Sequence, residues 1–175
     1  MSGEFPGITL PVVGFSAFSG TGKTTLLKQL LPMLTQHGLR VGMVKHAHHN
    51  FDIDKPGKDS YELRKAGAAQ MLVASARRWA LMVDNEVEND PDLGDLLRHL
   101  DLDELDLILV EGFKHVAFTK IELHRPSLGH PLLFREDPSI IAIASDEKMD
   151  SGELPLLDIN RPEEIADFIN NLVKP

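Results

Sequence analysis

One stretch decides most of what this chain can become: Ala17-Phe18-Ser19-Gly20-Thr21-Gly22-Lys23-Thr24, set between an apolar run and a leucine-rich segment of helical period. Glycines tolerate positive φ, so successive backbone N–H groups of such a turn point inward and form an anion nest. A helix that starts at the end of the turn adds its own free N–H groups and the positive end of its dipole. The lysine then reaches the outer oxygens of a bound polyphosphate, and the hydroxyl that follows serves as a magnesium ligand. The pattern asks for Gly, four residues, then Gly-Lys-Ser/Thr; seven of the eight positions comply, counting the four free ones, and Ala17 stands where the first glycine belongs. Alanine is acceptable there if the residue ends the strand with ordinary negative φ.

The flanks fit a strand and a helix. Val12 to Ala17 reads as a strand. Leu26, Leu27, Leu30, Leu31 and Leu34 recur at helical spacing from Thr24 to His37, and Gly38 is a natural stop. Pro32 lies inside this helix, where its ring is expected to bend the axis. Further along, Arg40 to Lys45, Leu107 to Val110 and Ile140 to Ala144 read as strands, and Lys120 to Leu123 as another. Gln70 to Ser75 and Trp79 to Val83, joined by Ala76-Arg77-Arg78, suggest a hairpin. Asp59, with Glu62 three residues on, is expected to cap a short helix ending near Gly67. Asn160, with Glu163 as capping-box acid, is expected to cap a C-terminal helix. Alternation of strands and helices around a phosphate loop predicts an α/β class: a P-loop containing nucleoside triphosphate hydrolase fold, with a mainly parallel sheet flanked by helices. At 175 residues the expected organisation is one domain over 1–175, with room for a small β-rich extension around 68–84 and 116–138.

Bulk properties remove several classes. The chain has no cysteine, so thiolate metal sites and thiol nucleophiles are excluded. A formal net charge of −9 argues against nucleic acid as a partner. No apolar run approaches the roughly 20 residues that span a bilayer, and the N-terminus lacks the pattern of a signal peptide, so no membrane association and a cytoplasmic location are expected.

A phosphate loop needs a carboxylate at the end of a neighbouring buried strand to hold magnesium or its waters. Glu111, after Leu107-Ile108-Leu109-Val110, is assigned that role together with Thr24, and Gly112 lets the chain pass close to a ligand. Lys23 and Glu111 are the candidate catalytic residues. Ser19, Gly20, Thr21, Gly22, Lys23, Thr24 and Thr25 form the candidate phosphate cradle. The loop from Lys45 to Lys55 holds His46, His48, His49, Asp52 and Asp54, and three readings stay open: a nucleotide or partner contact, a solvated loop, or a transition-metal site that matches no closed zinc spacing. Under the first reading His46 touches nucleotide, and Asp54 or Asp59 touches magnesium or its waters. Arg78, in the hairpin turn with Arg77, either reaches phosphate across a subunit interface or is solvated. Guanine carries an N1–H and 2-amino donor pair that one carboxylate accepts together. Asp146, directly after the strand Ile140 to Ala144 and Ser145, is the candidate reader of that base, and a surface turn is the plain alternative.

The chain resembles the MobB family of molybdopterin-guanine dinucleotide biosynthesis adaptor proteins from about Leu10 to Val173. The matching pieces are Ser19 to Thr25, Lys45-His46 with His48-His49, Asp54-Lys55-Pro56-Gly57-Lys58-Asp59-Ser60, Leu63-Arg64-Lys65-Ala66-Gly67-Ala68, Glu111-Gly112-Phe113-Lys114 and Ala144-Ser145-Asp146. No match is claimed for the first ten residues or for the acidic stretch from Asp84 to Asp92. The resemblance implies GTP as the nucleotide, bound with Mg2+ at the cradle, slow hydrolysis, a homodimer, and assistance to a MobA-type guanylyltransferase and other molybdopterin pathway proteins. Two other readings share the fold. A small-molecule kinase would want an arginine-rich lid, for which Arg77, Arg78, Arg125 and Arg135 are loose candidates; a GTP-driven metallochaperone would use the histidine loop.

Overall fold

The computed structural model describes residues 5–47, 51–85 and 89–174. The chain divides into two compact units: Met1–His46 with Asp92–Pro175, and Ala47–Pro91.

The first unit is a parallel sheet flanked by helices. Its strands are β1 (Val12–Ser16), β2 (Val41–Lys45), β5 (Leu107–Glu111), β6 (Lys120–His124), β7 (Ile140–Ser145) and β8 (Leu156–Asp158), in the order β2-β5-β1-β6-β7-β8. Every pairing within it is parallel. Strand β8 carries no signal in the sequence; three residues at a sheet edge are too few to show a period. Helix α1 (Lys23–Gln36) follows β1, and its leucines Leu26, Leu27, Leu30 and Leu34 are buried against the sheet. Each such side chain contributes roughly 1.5–3 kcal/mol when fully buried. The helix runs on through Pro32 and stops where Gly38 takes φ 84°, with Leu39 N–H donating to the Leu34 carbonyl at 3.1 Å. Helix α4 (Pro162–Val173) places Ile165, Ala166 and Ile169 in the same apolar cluster. The opposite face packs Val12, Val44, Ile108 and Val110 against Leu93 and Leu97 of helix α3 (Leu93–Leu97) and against Phe113 and Phe118.

Two expected caps are corrected. Arg161, not Asn160, is the residue before α4, and it makes no side-chain cap bond. Pro162 takes the first helical position, where a missing N–H costs nothing, and so moves the start past Asn160. In α2 (Asp59–Lys65) Asp59 is the first helical residue rather than the cap, while Glu62 accepts the Gly57 N–H at 3.1 Å.

Strand β6 is the least ordinary element. Lys120, Glu122 and His124 are all buried in it. Lys120 Nζ pairs with Asp137 at 2.6 Å and donates to the carbonyls of Val116 and Lys114 at 2.7 and 3.2 Å. Glu122 accepts the N–H groups of Leu133 and Phe134, each at 2.8 Å. These bonds tie the loop after β6 to the sheet.

The second unit consists of α2 and an antiparallel hairpin, β3 (Gln70–Ala74) and β4 (Trp79–Val83). Among the described residues no helix is long and apolar enough to cross a membrane. His48 and His49 lie outside the described residues.

Candidate functional site

The loop after β1 has the shape its sequence calls for. Gly20 and Gly22 take φ 83° and 98°, and a Cβ at either would meet nothing within 4 Å, so the requirement is conformational rather than spatial. Among the described residues the one non-glycine with positive φ is Phe113, so Ala17 meets the condition set for it. The buried Thr21 hydroxyl donates to the Phe18 carbonyl at 2.8 Å and braces the turn. Thr24 and Thr25 stand exposed in the first turn of α1. Lys23 Nζ donates to the Ala17 carbonyl at 3.1 Å. Its ammonium is held below the ordinary lysine value, first by burial, then by repulsion from Lys45 and Lys114, with Glu111 opposing.

Strand order explains that company. Because β5 lies between β2 and β1, Glu111 at its carboxyl end is in register with Lys45 on one side and Phe15 on the other. Lys45 Nζ meets Glu111 Oε2 at 2.8 Å, and the Glu111 side chain is largely buried. The His46 N–H donates to the Glu111 carbonyl at 2.8 Å. Gly112 then turns with φ 99°, and a Cβ there would sit 2.6 Å from Cβ of His46. Only glycine passes this point. The His46 ring stacks on Phe113 with centroids 4.9 Å apart. Three ammonium groups against one carboxylate, at the carboxyl ends of parallel strands, make a cationic basin that a polyphosphate fits. A divalent cation there would be held by the Thr24 hydroxyl and the Glu111 carboxylate, the hard oxygen donors such an ion takes.

Phe18, in the loop itself, stacks on His130 with centroids 4.4 Å apart and planes at 17°, and Lys114 Nζ lies 6.0 Å from the Phe18 centroid. Asp146 follows β7, and its Oδ2 accepts from Arg125 Nη1 at 2.5 Å. Arg125 Nε also donates to the Thr21 carbonyl at 3.1 Å. Arg125 therefore joins the loop after β1 to the turn after β7. Sequence offered it only as one of four loose arginines, and the available signal was its position directly after a strand.

The remaining candidates belong to the second unit. Asp54 bonds to Arg64, whose buried guanidinium holds Asp54, Asp52 and Asp84, each at 2.8 Å. That hydrogen bond keeps the Asp54 carboxyl below the usual aspartate value, with the Ser60 hydroxyl adding a weaker pull. Asp59 is exposed at the start of α2. Arg78 is exposed and lines a cleft of about 370 Å³ together with Asp54, Ser60, Trp79 and Met82. Among the described residues no three His, Asp or Glu side chains gather as metal ligands.

The family described as "Molybdopterin guanine dinucleotide synthesis protein B" matches residues 12–146. The "Molybdopterin-guanine dinucleotide biosynthesis adapter protein" of Escherichia coli (strain K12) is 54% identical over 161 residues, 91% of each chain. Its Haemophilus influenzae counterpart is 42% identical over 162 residues, 93% of this chain and 89% of that one. A crystal structure of "molybdopterin-guanine biosynthesis protein B (mobB)" superposes with a TM-score of 0.72 at 28% identity, covering 94% of this chain and 99% of the other. One of Bacillus subtilis MobB gives 0.73 at 27%, covering 93% and 97%.

Proposed function

This chain belongs to the molybdopterin-guanine dinucleotide biosynthesis adapter family, and on that premise we propose that it binds GTP with Mg2+, hydrolyses it slowly, and as a homodimer assists a MobA-type guanylyltransferase. The observation that carries the nucleotide reading is the grouping of Lys45, Lys114 and Glu111 about Lys23 at the mouth of the glycine turn. The turn's N–H groups and Lys23 would hold the outer phosphates, and Thr24 with Glu111 would hold the cation. Magnesium, when bound, neutralises charge that develops on the phosphoryl oxygens. Asp146 would accept the guanine donor pair.

Slow turnover follows from what the site commits elsewhere. Arg125 is engaged with Asp146 and a backbone carbonyl. Without an arginine at the transferring phosphoryl group, a P-loop GTPase forgoes about 10³–10⁵ in rate. Such a protein holds nucleotide and waits for a partner. The homodimer reading is supported by the hairpin, where Leu72, Val73, Trp79, Leu81 and Val83 are all exposed. Exposed apolar surface of this extent marks an interaction face.

Equilibrium binding of GTP and ATP in excess magnesium, with the native chain and Lys23→Ala, tests the proposal. We expect GTP to bind at least tenfold more tightly than ATP, and Lys23→Ala to weaken GTP on the order of 100-fold, as loss of a charge-assisted phosphate contact does. A preference for ATP, or no effect of the variant, would reject it.

A further inference from the structure

Strand β6 lies between β1 and β7. A side chain just past its carboxyl end therefore stands between the phosphate loop that follows β1 and the Asp146 turn that follows β7. Arg125 occupies that position and spans both. Nε donates to the carbonyl of Thr21 within the glycine turn, Nη1 pairs with Asp146 Oδ2, and Nη2 reaches Asn160 Oδ1 at 3.5 Å. The arginine is 30% exposed and the aspartate 19%, so the pair is shielded well beyond an ordinary surface bridge. The other oxygen of Asp146, Oδ1, is buried and has no hydrogen-bond partner among the described residues. A carboxylate with one oxygen clamped and the other unclaimed is held in one orientation with acceptor capacity unspent, and a base reaches Oδ1 by displacing the atoms that cover it.

We infer that Arg125 is a positioning residue for base recognition, fixing Asp146 against the phosphate loop so that its carboxylate meets the paired N–H donors of a 2-amino-6-oxopurine. The inference rests on the reading that Asp146 accepts guanine. The planar fork is what the geometry needs. One guanidinium serves a carbonyl on one edge and a carboxylate on the next, whereas a lysine ammonium has no fixed pair of directions to offer two acceptors at once. The same contact ties base recognition to the phosphate cradle, because the Thr21 carbonyl belongs to the loop that wraps the phosphates.

The test is equilibrium binding of GTP, ITP and XTP with Mg2+ to the full chain, wild type against Arg125→Ala, Arg125→Lys and Asp146→Asn, with thermal melts of each. ITP lacks the 2-amino group, and XTP carries an oxygen in its place. Wild type should prefer GTP to ITP by about tenfold, the value of one charge-assisted hydrogen bond. Asp146→Asn should turn the preference toward XTP, since an amide offers a donor there. Arg125→Ala should bring the GTP:ITP ratio to within about twofold of unity while ITP binding falls far less, and Arg125→Lys should keep the fold without restoring the ratio. A wild-type ratio in Arg125→Ala, or an equal loss of GTP and ITP, would overturn the positioning role and leave Asp146 as the reader. A wild type indifferent to the 2-amino group, with no turn to XTP in Asp146→Asn, would remove the guanine assignment itself and the inference with it.

Discussion

Strands β5 and β4 are both five-residue, mainly apolar runs, Leu-Ile-Leu-Val-Glu and Trp-Ala-Leu-Met-Val, yet they meet opposite fates. In β5 the first four residues are completely buried between two parallel neighbours and two apolar layers. In β4 only Met82 is buried, and Trp79, Leu81 and Val83 are exposed. Strand β6 inverts the contrast, for its lysine, glutamate and histidine are buried where the hairpin's leucines are not. Apolar character thus marks the interior in one unit and an uncovered face in the other. What separates them is the number of layers that the surrounding chain supplies.

The sharpest way to break this comparison is at β6. Lys120→Ala empties a buried site and removes the ion-pair partner of Asp137, which keeps its bonds from Ser139. We expect a loss of roughly 2–4 kcal/mol, read by chemical denaturation, the cost of leaving the Val116 and Lys114 carbonyls and a partly exposed carboxylate without their donor. A loss below about 1 kcal/mol would show the lysine to be solvated.

Next is the hairpin. Leu72 and Leu81 are cross-strand partners, both exposed. Changing both to serine should weaken self-association on the order of 100-fold, read by sedimentation equilibrium or light scattering, if a second copy covers that face. It should leave the stability of the monomer within about 0.5 kcal/mol. Unchanged association would place the partner surface elsewhere.

The smallest effect concerns acid. Arg64 holds Asp54 below its ordinary value, so the stability this contact supplies is fully present above the unfolded aspartate pKa of about 3.9 and is lost as pH falls through the lower folded value. Glu122 runs the other way. Burial raises its carboxyl, so its ionisation costs stability as pH climbs from the ordinary glutamate value to the raised one. Trp79, the chain's one tryptophan, lies in the hairpin and reports on that unit. Its fluorescence should change below about pH 4, and Asp54→Asn should flatten that change. A transition of equal size in the variant would assign the acid response to other groups.

The parallel sheet, the glycine turn and Glu111 were legible because each rests on a local rule: an apolar run of strand length, a helix period, and an acid closing a buried strand. The caps at Asp59 and Asn160 were misread because each helix starts one place away, after Lys58 and at Pro162. Charged β6 could be marked as a strand but not as a central one. What partners Lys120 and Glu122 is a loop 11 to 17 residues on, Leu133 to Asp137, and no local pattern announces that pairing. The Arg64 and Arg125 hubs were hidden for the same reason, since their carboxylate partners are 10 to 21 positions away.

The strand order also governs how the chain can form as it is synthesised. Strands β1 and β2 come first off the ribosome, yet they are not neighbours; β5 must come between them. The N-terminal segment thus has no sheet partner until residues 107–111 have emerged, whereas β3 and β4 find their sheet partners in each other, within residues 70–83. At translation rates of about 5–20 residues per second, the apolar runs of β1 and β2 wait seconds for the strand that joins them.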